Sequence, residues 1–214
     1  MAIYDTEEEQ LEAVKRWWKE NGTSTVVGLV IGVAIIIGWN YWQGYKKEQA
    51  NQASAIYDEL MSAAETGQNE NVDKLAKRLQ EQYASSKYNT YGSLFLAKVK
   101  AEKGDLNAAK DILKKIIDSK DKELSHIARI RLVQLMLARG EYEQGLKVIN
   151  EVDQSQVAKF SDNYDELVGD LYVGLDRLEE ARTAYQKALK NGYRSPLLQL
   201  KIDDLTAPEK LQAK

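Results

Sequence analysis

Apolar and polar positions are arranged in two different ways along this chain. From Asn21 to Tyr45 there is no charged residue, and the centre runs Val26-Val27-Gly28-Leu29-Val30-Ile31-Gly32-Val33-Ala34-Ile35-Ile36-Ile37-Gly38. After Lys46, apolar residues recur instead at three- and four-residue spacing within runs of Ala, Leu, Lys, Glu and Gln. The first pattern predicts one transmembrane helix and the second a set of amphipathic helices. At about 1.5 Å per residue, Thr23 to Tyr45 makes a helix about 34 Å long, enough for a hydrocarbon core of roughly 30 Å. No stretch alternates β-branched and aromatic residues between turn residues, and the two prolines, Pro196 and Pro208, lie near the end. The expected fold class is therefore all-α: a single N-terminal transmembrane helix followed by a helical domain.

The flanks bear on the membrane reading. Trp17 and Trp18 precede the span, and Trp39, Tyr41, Trp42 and Tyr45 close it, so all four tryptophans fall at its two ends. Indole rings with an apolar body and one polar N–H settle at headgroup level; a buried core helix has no use for such belts. A cleaved signal peptide would need an A-x-A-like site, whereas the span ends Trp39-Asn40-Tyr41-Trp42. The expectation is an uncleaved signal anchor. Lys15, Arg16 and Lys19 before the span against Lys46 and Lys47 after it favour an inside N-terminus by three to two.

The remainder contains an internal repeat. The turns Lys103-Gly104-Asp105-Leu106, Arg139-Gly140-Glu141-Tyr142 and Leu175-Asp176-Arg177-Leu178 are offset by 36 residues, as are the small residues Ala109, Gly145 and Ala181. These units resemble the tetratricopeptide repeat. Gly169, Tyr172, Ala181, Tyr185 and Ala188 fit its pattern in the last unit, and Leu96, Ala97, Gly104, Ala109 and Leu113 in an earlier one. Leu132, Val133, Met136, Gly140, Gly145 and Ile149 form a looser middle unit. A divergent pair, Ala50 to Thr66 and Val72 to Tyr83, is read as an N-terminal cap, and Ser195 to Leu205, entered through Pro196, as a final capping helix. Paired helices cannot each bury an apolar stripe alone, whereas stacked pairs bury one continuous core. A plain antiparallel bundle is the alternative.

Candidate chemistry is sparse. There is no cysteine, which excludes thiol catalysis and cysteine-based zinc sites, and His126 is the sole histidine. At the start of a helix it is expected to be solvated or capping. No P-loop, GxSxG or HExxH pattern occurs, and the carboxylate pairs Asp203/Asp204 and Glu179/Glu180 read as solvated faces or first turns. No enzyme activity, cofactor or metal is expected. Residues 1 to 20 hold three basic and six acidic residues, which accounts for the net charge of −3. The rest is balanced at 27 of each sign, without the basic excess of a nucleic-acid binder.

Two regions suit partners. Gly28 and Gly32, and Ala34 and Gly38, each have small-xxx-small spacing, so these four are candidate contacts for another membrane helix. The run Glu7-Glu8-Glu9 precedes an expected amphipathic helix from Gln10 to Lys19 that ends at Asn21-Gly22, and serves as a solubilising tail or as a docking site. In tetratricopeptide domains the first helix of each pair lines a ligand groove. The corresponding positions are Tyr91, Leu94, Lys98, Ile127, Ile130, Gln134, Leu137, Asn163, Glu166 and Asp170. They suggest a groove for extended polypeptide, with core packing as the alternative for Ile127, Ile130 and Leu137.

The segments Gln10-Leu11-Glu12-Ala13-Val14-Lys15-Arg16, Glu20-Asn21-Gly22, Gly38-Trp39-Asn40-Tyr41-Trp42, Asn89-Thr90-Tyr91-Gly92 and Lys201-Ile202-Asp203-Asp204-Leu205 resemble the YfgM family, ancillary subunits of the bacterial SecYEG translocon. The resemblance spans essentially the whole chain. It implies a cytoplasmic tail over 1–20, a transmembrane anchor over 21–45, a periplasmic tetratricopeptide-repeat-like domain over 46–205 and a C-terminal tail over 206–214. It also implies a single-pass inner-membrane location. The implied partners are SecYEG, a PpiD-like membrane-anchored periplasmic chaperone and exported polypeptide clients, with passage of new proteins to periplasmic chaperones as the function. The alternatives are an adaptor that tethers the chaperone without touching clients, and a signalling protein that regulates an envelope stress response through its tail.

Overall fold

In a computed structural model, residues 7–152, 159–190 and 196–206 are described, and every regular element among them is an α-helix. The elements are α1 (Glu7–Glu65), α2 (Asn69–Gln82), α3 (Lys87–Glu102), α4 (Leu106–Ile117), α5 (Lys122–Ala138), α6 (Tyr142–Asn150), α7 (Ser161–Gly174), α8 (Leu178–Lys190) and α9 (Pro196–Thr206). The chain divides into two compact units, Met1–Gln52 and Ala53–Lys214.

In the first unit, α1 contains the acidic run in its opening turns and does not stop at Asn21-Gly22, contrary to the expected break there. The polar residues bond back to the helix instead of capping an end. The Asn21 side-chain amide donates to the Trp17 carbonyl at 3.2 Å, and the Thr25 hydroxyl donates to the Asn21 carbonyl at 2.9 Å. A Cβ at Gly22 would lie 3.2 Å from the Trp18 ring, so the glycine admits an indole folded along the helix. At the other end of the span Trp39 and Trp42 pack at 5.3 Å, and Lys46 Nζ lies 3.8 Å from the Trp42 ring centroid.

The second unit is a stack of helix pairs. Each pair turns through a residue in the left-handed region: Gly67 (φ 71°), Gly104 (φ 81°), Gly140 (φ 73°) and Asp176 (φ 59°). All four close the preceding helix with the same two bonds. At Gly104 these run from the Gly104 amide to the Ala101 carbonyl and from the Asp105 amide to the Lys100 carbonyl; at Asp176, from the Asp176 amide to Val173 and from the Arg177 amide to Tyr172. Gly67, 37 residues before Gly104, shows that the divergent first pair turns in the same way as the others. Five residues beyond each turn stand Val72, Ala109, Gly145 and Ala181, all buried at the helix crossings.

Small residues fix the approach of the helices. A Cβ at Gly92 would come 2.7 Å from a Leu79 methyl carbon, one at Gly145 2.7 Å from Leu171, and one at Gly169 2.2 Å from the Tyr185 ring. The core is accordingly a series of clusters, each built from consecutive helices. The end of α1 joins α2 and α3 around Leu60 and Leu79, and α3 to α5 enclose Leu113 and Leu132. Helices α5 to α7 enclose Val133 and Leu171, and α8 and α9 enclose Tyr185 and Leu198. The repeat-unit residues Leu132, Val133, Met136, Gly145 and Ile149 are all buried, so the middle unit is irregular in residue type and not in packing.

Candidate binding face and membrane segment

The repeat places α3, α5 and α7 next to one another, because α3 contacts α5 and α5 contacts α7. The ten residues expected to line a groove fall on these three helices, and their environments differ. Leu94 is 5% exposed and belongs to the core, so it offers no lining surface. Ile127 is half-buried against the α3–α5 cluster, while Ile130 and Leu137 are half-buried against the α5–α7 cluster. These three therefore pack between repeats and also keep part of their surface open. Lys98 and Gln134 are exposed and share a cavity of about 410 Å³ with Ala97, Ala101, Arg131 and Leu135, floored by the buried Ala109 and Leu113.

Tyr91 lies in an aromatic cluster that sequence reasoning did not assemble. Its ring centroid is 6.2 Å from Tyr57 and 6.0 Å from Tyr88, and Tyr57 and Tyr88 are 5.9 Å apart. Burial raises the Tyr57 hydroxyl pKa, and the charge of Asp58 adds to that while Arg131 opposes it. The Arg131 guanidinium donates to the Leu94 carbonyl at 3.4 Å and so spans α5 and α3. The 57/91 pairing was out of reach of the motif alignment because Tyr57 lies in the divergent first pair.

The C-terminal end of this face is polar. Lys201 of α9 bonds Glu166 at 2.8 Å and both carboxylate oxygens of Asp170, at 2.6 and 2.8 Å. Burial works against the Lys201 charge, but the hydrogen bonds it donates to Asp170 and Glu166 outweigh that and its pKa is raised. The Tyr185 hydroxyl also donates to Asp170 at 2.7 Å; burial first, then that carboxylate, push its pKa up. Glu166 and Asp170 are thus held by their own domain, and Asn163 is half-buried on the same helix. The face passes from aromatic and aliphatic at α3 and α5 to ion-paired at α7.

His126 is not solvated, contrary to expectation. It is 8% exposed, stacked on Phe160 at 5.0 Å, with Nδ1 2.9 Å from the Tyr164 hydroxyl. Its position near a helix start misled because the neighbouring repeat covers that end of α5. The carboxylates of the first turn of α8 are exposed and paired locally, Glu179 with Arg182 and Glu180 with Arg177. Among the described residues no group of three or more His, Cys, Asp or Glu side chains could hold a metal ion.

In the membrane segment the side chains are turned outward: Leu29 is 69% and Ile35 65% exposed. This helix is long and apolar enough to cross a membrane. A Cβ added at Gly28, Gly32 or Gly38 would meet nothing within 4 Å. At about 3.6 residues per turn, the Gly28/Gly32 pair and the Ala34/Gly38 pair point about 120° apart. They are two separate small-residue faces of the helix.

Comparison with known proteins agrees with this architecture. The tetratricopeptide repeat-like domain family matches residues 15–207. The ancillary SecYEG translocon subunit of Haemophilus influenzae is 32% identical over 198 residues, covering 90% of this chain and 93% of that protein. The chain belongs to this family, YfgM. The ancillary SecYEG translocon subunit of Escherichia coli K12 is 29% identical over 213 residues, 96% of this chain and 100% of that protein. Among solved structures, MamA from Desulfovibrio magneticus RS-1 superposes with a TM-score of 0.56 at 17% identity, covering 72% of this chain and 83% of that one. That likeness concerns the fold of the repeat region. Membership of the family and a repeat-like fold both point to a scaffold in place of a catalyst.

Proposed function

We propose that this protein is a membrane-anchored ancillary factor of the Sec translocon whose repeat domain receives newly exported polypeptide and passes it to periplasmic chaperones. The observation that carries the reading is the union, in one chain, of an exposed apolar helix long enough to cross a membrane and a repeat face lined by half-buried tyrosine and isoleucine, in a family whose relatives are named for SecYEG. Residues 1–20 form the cytoplasmic tail, 21–45 the anchor, 46–205 the periplasmic domain and 206–214 a tail, of which 207–214 lie outside the described residues. Tyr91, Lys98, Ile127, Ile130, Gln134, Leu137 and Asn163 contact the client. Glu166 and Asp170 form the polar end of the same surface. Gly28, Gly32, Ala34 and Gly38 contact helices of SecYEG or of a PpiD-like chaperone. Contacts made through partly exposed Tyr and Ile suit many weakly held sequences and a short residence time.

The test is photo-crosslinking in intact cells from two exposed positions, Gln134 on the repeat face and Val30 in the span. Gln134 is exposed, unlike its half-buried neighbour Ile130, so a probe there does not disturb packing. Crosslinks from Gln134 to many nascent exported proteins, with translocon subunits captured at Val30, support client handling. Capture of a single folded membrane partner at Gln134 overturns it in favour of the adaptor.

A further inference from the structure

The buried histidine plays no part in the binding face, yet it joins two repeats. His126 sits in the first turns of α5, and its ring meets Tyr164 of α7 and Phe160 just before α7. Tyr164 is itself buried, and burial pushes its hydroxyl pKa up to about 12, so it stays a neutral partner. One turn further along α5, the Arg129 guanidinium donates to the Val148 carbonyl of α6 at 3.0 Å. The ring is therefore enclosed between helix pairs, at the seam where α5 receives α7.

Among the described residues, Arg129 and Lys122, both cationic and both on α5, act on this ring. From α7 it is faced by Tyr164; the adjacent Asp165 is engaged by Lys187 of α8 at 2.8 Å. A neutral imidazole satisfies the Tyr164 contact in either direction. A protonated one brings a full charge and a second N–H into a buried site beside two cations, a cost that attraction to the Phe160 ring face offsets only in part.

We propose that His126 is an acid-responsive latch between the third and fourth helix pairs, whose protonation releases α7 from α5. Burial, with Arg129 and Lys122 adding to it, lowers the ring pKa below its ordinary 6.5 in the closed domain. The sign follows directly. The opened seam binds a proton at about 6.5 and the closed seam only at lower pH, so the latch is fully closed above about 6.5. It weakens as the pH falls from there towards the closed-state value. Within that window each pH unit raises the open population by up to about tenfold. Opening uncovers Phe160, Tyr164 and the α7-facing side of Ile130 and Leu137, so acid enlarges the apolar surface of the repeat domain.

The test uses the full chain in detergent micelles, purified without a histidine tag and labelled at histidine, so that its single imidazole gives one set of resonances. The expected result is a titration midpoint below 6.5. Amide hydrogen exchange in α7, corrected for intrinsic rates, should accelerate by up to about tenfold per pH unit below 6.5, while α2 to α4 stay protected. His126→Gln, which keeps a polar side chain but cannot titrate, should remove that acid dependence. A midpoint at or above 6.5, or the same acceleration of α7 in His126→Gln, overturns the proposal. If His126→Gln does not fold, the midpoint and the exchange pattern of the natural chain decide it alone.

Discussion

The segment Val26–Trp42 and helix α5 are both rich in Ile, Leu and Val, yet they use those residues in opposite ways. In α5, Leu124, Ala128, Leu132, Val133 and Met136 are buried, while Arg131 and Gln134 are exposed and Arg129 reaches across to α6. In the membrane segment large apolar side chains are exposed around the helix and no charged side chain interrupts them. A helix that is apolar on one stripe asks for another helix; one that is apolar all round asks for a different solvent. The contrast lies in the angular distribution of the apolar residues and in the absence of charge, not in their number.

The sharpest way to break the repeat side of this contrast is Tyr185→Ala. Tyr185 is 2% exposed, fills the space left by Gly169 and donates to Asp170. The expected loss is about 3–5 kcal/mol of repeat-domain stability, read as an early urea unfolding transition with membrane integration intact. The reciprocal variant is Ile35→Lys, which leaves the repeat core untouched. A lysine at the centre of a span costs about 3 kcal/mol of insertion free energy. Alkaline extraction should then release the protein from membranes while its repeat domain melts at the normal temperature. If Ile35→Lys extracts like the natural chain, the exposed apolar helix is not a membrane anchor.

Gly169→Ala tests the close approach of α7 and α8. Its Cβ would overlap the Tyr185 ring, so a loss of about 1–3 kcal/mol is expected from overpacking. Gly28→Ala, where a Cβ meets nothing within this chain, should leave repeat-domain stability unchanged and alter only crosslinks within the membrane. Of the changes expected in repeat-domain stability itself, the smallest is at Asp176, the one described residue other than glycine with a positive φ. Asp176→Gly should raise stability by up to about 1 kcal/mol, because glycine adopts this conformation without the Cβ penalty. A loss at this position would show that the aspartate side chain is needed in the turn.

Much of this architecture was legible because local signals and tertiary demands coincide. The offset of 36 residues marks turns that must each supply a left-handed residue, and the small residues five positions later mark buried crossings, tightest at Gly145. Gly67 turns in the same way at an offset of 37, with the larger Val72 five positions later, and that extra residue concealed the first pair within an apparently divergent cap. The candidate face was legible only in part. Alignment to a repeat says which helix face a residue occupies, but it does not say that Leu94 sinks into the core or that Lys201 returns from α9 to neutralise Glu166 and Asp170.

The sequence by itself determined the membrane segment, the helical class and the pitch of the repeat, because each depends on spacing along one helix or on the conformational freedom of one residue. Tertiary structure alone decided which groups meet across repeats: the Tyr57–Tyr88–Tyr91 cluster, the Lys201 clamp and the burial of His126 against Tyr164. Those contacts join residues up to 38 positions apart. Their geometry is set by how closely the small residues let neighbouring helices approach, and periodicity along a single helix carries no record of that distance.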